Sequence, residues 1–108
     1  MDPLKDTTPA QRAAMQTKWM ETNLSLDAKT SASVSAINLK YAQENETLVS
    51  TDEPKFKKLM AFKEHSDAKN AELKGIFNPE QYSLYEQKKS EMEAAVMQKV
   101  KEKYESAQ

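Results

Sequence analysis

Apolar residues recur at three- and four-residue steps along most of the chain, separated by lysine, glutamate, glutamine and alanine. That is the period of an amphipathic helix, not the alternation of a strand. The pattern predicts four helices. The first runs from about Pro9 to Thr22 and places Met15 and Trp19 inward. The second, Ala28 to Val49, carries Val34, Ile37, Tyr41 and Leu48 on one stripe. The third begins after Thr51 and ends at Lys74 or Gly75, with Leu59, Phe62, Leu73 and Phe77. The fourth extends from Pro79 to about Tyr104, with Tyr82, Tyr85, Met92, Val96 and Val100. At ~1.5 Å per residue, the last three are each roughly 33–39 Å long.

Three helix starts carry a recognisable device. Thr8, Asp27 and Asn78 each offer a side-chain oxygen to a free backbone N–H. Pro9 and Pro79 follow at the first helical position, and Gln11 and Gln81 stand three residues after the cap, where they close a capping box. Thr30 occupies that place in the middle copy. Phe77 and Tyr82 flank the third box at the spacing of a hydrophobic staple. The third helix has no such box, but Asp52 and Glu53 precede it and suit the positive end of its dipole. Gly75 is placed to cap its C-terminus. We expect Asn78→Ala to be more damaging than Thr8→Ala, because a short N-terminal helix frays.

The stripes are interrupted. Ser66 and Asn70 break the third, and Lys89 breaks the fourth, where a regular bundle would place leucine. The expected fold is therefore all-α: four helices in elongated antiparallel hairpins, forming an open or partly open bundle, or a homodimer that completes the core. It is a single domain over residues 1–108, with a flexible tail over 1–7 and a frayed end over 105–108. A second apolar set lies off the stripes: Met20, Leu39, Phe56, Met60, Leu84 and Met97. Either each helix touches two neighbours and its apolar face is broad, or these residues form a surface for apolar partners.

Composition narrows this picture. One glycine among 108 residues leaves little material for turns. An apolar fraction of 38% beside a charged fraction of 31% suits thin helices better than a thick core. The absence of cysteine removes disulfides and thiolate chemistry. A net charge of −1, one arginine and no recognised aromatic pattern argue against nucleic acid as a partner. No run has the length of a membrane span.

Candidate chemistry is sparse. His65 is the only histidine, and Glu64 and Asp67 do not share its helix face, so no metal site is expected. There is no phosphate-binding glycine loop and no nucleophile elbow. The residues supply no basis for an enzyme and none for a cofactor. The sharpest local bias is Lys55 to Lys63, four lysines among large apolar residues with no acid. From Lys55 to Lys74 there are six lysines against three acids, so this helix is locally basic in a slightly acidic chain. Lysine beside apolar surface suits weak capture of acidic, partly unfolded chains. An ordinary solvated helix face has the same composition.

The segments Thr7-Thr8-Pro9-Ala10-Gln11, Leu26-Asp27-Ala28-Lys29-Thr30 and Phe77-Asn78-Pro79-Glu80-Gln81 resemble the LTxxQ signatures of the Spy/CpxP family of bacterial periplasmic proteins. With Trp19 to Leu26, Ile37 to Ala42 and Tyr82, the chain from about Thr7 to Met92 looks like the small LTxxQ-type envelope proteins of Bacteroidetes. No copy is a perfect LTxxQ, and the middle one lacks glutamine. The resemblance implies a periplasmic, helical, dimeric protein whose signal peptide has been removed. It further implies an ATP-independent chaperone or a regulator of envelope stress sensing. Family members bind clients on a concave basic and apolar face. The residues of matching character here are Phe56, Lys57, Met60 and Lys63, an assignment that rests on composition. Two functions follow. One is chaperone-like binding of unfolded or apolar polypeptide. The other is a non-enzymatic adaptor that binds one folded envelope partner.

Overall fold

The computed structural model describes residues 7–106, with side chains to Lys99 and at Glu102. Four helices are present: α1 (Pro9–Leu24), α2 (Ala28–Val49), α3 (Lys55–Ile76) and α4 (Pro79–Ser106). No strand occurs among the described residues. The all-α expectation and the starts and order of α1, α2 and α4 therefore hold. Residues 1–6 of the expected 1–7 tail, residues 107–108 of the expected 105–108 end and the side chain of Val100 lie outside the described residues.

The capping devices are formed. Thr8 Oγ1 accepts from Gln11 N–H at 3.0 Å, and Gln11 Oε1 accepts from Thr8 N–H at 2.9 Å. Asn78 and Gln81 make the same reciprocal pair at 2.8 and 3.0 Å. Asp27 caps α2 through Thr30 N–H at 2.8 Å, and that bond holds its carboxyl below the usual carboxylate range. The staple is indirect: Phe77 and Tyr82 each lie beside Tyr85, with ring centroids 6.0 and 6.1 Å from it.

Two boundaries differ from expectation. α3 begins at Lys55, with Pro54 as its cap residue in an extended conformation and no side-chain cap. The proline disfavours helical geometry at Glu53, so Asp52 and Glu53 stay outside the first turn. Gly75 is not a cap, because the helix continues through it to Ile76. Phe77 is buried and Ile76 packs against the core, and these contacts carry the helix one residue further. The start of α1 is also better held than a fraying tail would be. Thr7 is buried, and Arg12 donates to its carbonyl and hydroxyl at 2.7 and 2.9 Å while pairing with Glu46 of α2. With both starts anchored, Thr8→Ala and Asn78→Ala should each lower stability by about 1 kcal/mol. Thermal melts of the two variants check this, and a negligible shift for Thr8→Ala would restore the fraying picture.

In space the helices follow the order α4, α1, α2, α3, and α3 meets α4 at only a few positions. The smallest dimension is 22 Å, about two helix layers. The core joins Met20 and Leu24 of α1, Val34 of α2, Leu73 at the end of α3, Phe77, and Tyr85, Met92 and Val96 of α4. Met20 was expected off the core direction but is fully buried. The reason is that α1 has two neighbours. Thr17 and Met20 meet Asn38 of α2, while Met15 and Trp19 line a hollow with Ala95 and Val96 of α4. Leu59 moves the other way: expected in the stripe, it is 60% exposed. It shares a face with Asn70, three turns on, which accepts from Tyr85 of α4 at 2.8 Å. At the level of Leu59, α4 has diverged and nothing covers that face.

Candidate binding cleft

The divergence of α3 from α4 leaves a cleft whose floor is α1 and α2. It holds two hollows that share Gln16, Asn45, Phe62 and Glu93. The outer one, about 310 Å³, adds Val49, Val96 and Met97 and is mostly apolar. The inner one, about 170 Å³, adds Tyr41, His65, Lys69, Asn70 and Tyr85 and is mostly polar. Asn70 and Tyr85, bonded at 2.8 Å, wall the inner hollow on the side of the α3–α4 connection.

Lys69 is the most unusual group. It reaches inward from the same side of α3 as Phe62 and His65, and its ammonium donates to Gln16 Oε1 at 2.9 Å. The three ion pairs formed among the described residues do not include it. Burial lowers its pKa from a lysine's ordinary 10.5 to about 8, an effect partly offset by Glu93. Tyr85, at the same end, is pushed up to about 12, first by burial and then by Glu93. His65 Nδ1 lies 2.6 Å from Asn45 Oδ1. Outside the hollow, Glu72 accepts from Lys40 at 2.8 Å and from the Tyr41 hydroxyl. These bonds hold the Glu72 carboxyl low and raise Lys40 and Tyr41. No cluster of three or more metal-ligating side chains occurs among the described residues. No helix described is long and apolar enough to cross a membrane.

The residues singled out from sequence occupy a different surface. Phe56 and Met60 are 62% and 59% exposed, and Lys57 and Lys63 are exposed with them. Lys63 pairs with Asp67 one turn on, at 3.0 Å. Phe56, Met60 and Lys63 form one outer face of α3, on the side opposite Phe62 and Lys69. The structure thus leaves all four accessible, on the outer side of α3 and away from the cleft. The capping residues Thr8, Pro9, Gln11, Asp27, Asn78, Pro79 and Gln81 sit at helix ends, distant in role from the cleft. Lys69, Glu93, Gln16 and Asn45 were not anticipated. The signal was a lysine at stripe spacing from Phe62 and His65.

The sequence profile of a family described as "Domain of unknown function (DUF4890)" matches residues 2–85. The chain belongs to this family. No curated protein and no solved structure matches this DUF4890 member.

Proposed function

We propose that this DUF4890 protein is a non-catalytic, ATP-independent, chaperone-like binder of unfolded or apolar polypeptide segments. The observation that carries the reading is the exposure of Phe56, Leu59 and Met60, about three-fifths each, on one turn and a half of a lysine-rich helix. Large side chains this exposed and this close together mark an interaction surface more than a solvated helix face. Methionine repacks against varied shapes, and neighbouring lysines attract acidic chains in a salt-sensitive way. The LTxxQ-like boxes add a likeness to Spy/CpxP proteins, and with it a periplasmic setting, envelope stress as the occasion, and a homodimer as the working form.

The test is a client-aggregation assay with several unrelated unfolded proteins and no nucleotide. Wild type should slow aggregation at near-stoichiometric ratios, and Met60→Ser and Lys63→Glu should each weaken that effect while remaining folded. Failure of wild type with every client sinks the reading. Full activity in both variants keeps the activity and moves it to another surface.

The shaped cleft favours a second reading, an adaptor that binds one partner. Selective protection of a single client in the same assay would support it.

A further inference from the structure

We propose that the inner end of the α3–α4 cleft binds the C-terminal carboxylate of a polypeptide, with the Lys69 ammonium as its ion partner. This rests on the polypeptide-binding reading and deepens it by naming the group recognised.

Four observations support the assignment. First, a part-buried ammonium whose only described bond is to the neutral Gln16 amide lacks a counter-ion in contact. A buried charge of this kind is costly until an opposite charge meets it. Second, donors for a carboxylate stand beside it. Gln16 accepts through Oε1 and Asn45 is engaged through Oδ1, which leaves both NH₂ groups to donate. Third, the hollow is small and holds one lysine with Glu93 facing it. A phosphate dianion would meet too little positive charge there, and a fatty acid would bring no donor for Glu93. The last residue of a peptide brings both a carboxylate and, one carbon away, an amide N–H. Fourth, the cleft runs from the apolar outer hollow to the inner one, where the bonded Asn70 and Tyr85 link α3 to α4 across its path, an arrangement suited to a chain end. Phe62, Val96 and Met97 then receive the last side chains.

The probe is a fluorescein-labelled ten-residue peptide ending in two leucines, made as the free acid and as the C-terminal amide. Fluorescence polarisation with wild-type protein at pH 7 should show the free acid binding at least about tenfold more tightly. Lys69→Met, which keeps an unbranched side chain one atom shorter, should bind both forms as wild type binds the amide. Lys69→Gln serves the same purpose if the methionine variant folds poorly. The free-acid preference should also decline above pH 8, as the ammonium loses its proton. Tyr41, His65, Tyr85 and Glu93 line the same hollow, so a pH response that persists in Lys69→Met would not come from Lys69 and would count against the assignment. Equal binding of acid and amide by wild type overturns the carboxylate proposal and leaves polypeptide binding intact. Binding of neither overturns both. Displacement of the peptide by laurate at lower concentration than by unlabelled free-acid peptide would overturn the proposal in favour of a lipid.

Discussion

Leu73→Ala is expected to destabilise the protein by about 3 kcal/mol, and Leu59→Ala by less than about 0.5 kcal/mol. Both leucines lie on one face of α3, fourteen residues apart, and differ only in what stands opposite. Leu73 is fully buried among Met20, Val34, Phe77 and Tyr85, where truncation leaves a cavity. Leu59 faces the open side, so truncation mostly removes surface already wet. In thermal melts the first change should lower the midpoint by about 15 °C and the second by a degree or two, using ~4–8 °C per kcal/mol. Comparable losses in both variants would mean that Leu59 is covered in solution, by α4 or by a second copy.

Lys69→Met should stabilise the fold by about 2–3 kcal/mol at pH 7. Lys69 is protonated in both folded and unfolded chains at that pH, and its burial disfavours the charge only in the folded one. With the folded value near 8 and the unfolded value near 10.5, the penalty is fully present below pH 8. It is relieved as pH rises from 8 through 10.5, because the unfolded chain then binds more protons than the folded one. Wild type should therefore gain on the variant across that interval. Urea titrations of both proteins at pH 7, 8, 9 and 10 measure the difference. Tyr85, whose raised pKa acts in the opposite direction as the unfolded tyrosine ionises around pH 10, is common to both proteins and cancels in the difference. A variant no more stable than wild type, with no narrowing of the gap, would show that the ammonium reaches water.

The fold was legible because its signals are local. Thr8, Asp27 and Asn78 define helix starts through bonds made within three residues, and one period describes the interior stripes. The misplacements of Met20 and Leu59 have a common cause. Periodicity gives the direction in which a side chain points, but not whether a neighbouring helix is there. Met20 points toward α2, and Leu59 points toward a helix that has diverged. Ser66 does border the cleft, whereas Asn70 bonds Tyr85 of α4 where the two helices still meet. Lys69 was harder to recognise, because a lysine on a charged helix looks the same from sequence whether it faces water or Gln16. Phe56 and Met60 were legible as off-stripe, yet their exposure depends on where α3 sits in the bundle.

The spatial order of the helices has a mechanical consequence. α4 is covalently joined to α3 at Phe77–Asn78, and away from that joint it rests chiefly on α1. Even there the seam is loose, with a hollow of about 360 Å³ beside Trp19 and Lys99. The stretch from Asn78 to Met97 is thus an arm about 30 Å long, pivoted at one end, by the helical rise of ~1.5 Å per residue. A tilt of about 5° at the pivot carries its far end through roughly 3 Å over that length. Jaw width at Met97 is therefore set by how α4 seats on α1 through Met92 and Val96, while the distance between Asn70 and Tyr85, close to the fulcrum, depends little on that seating.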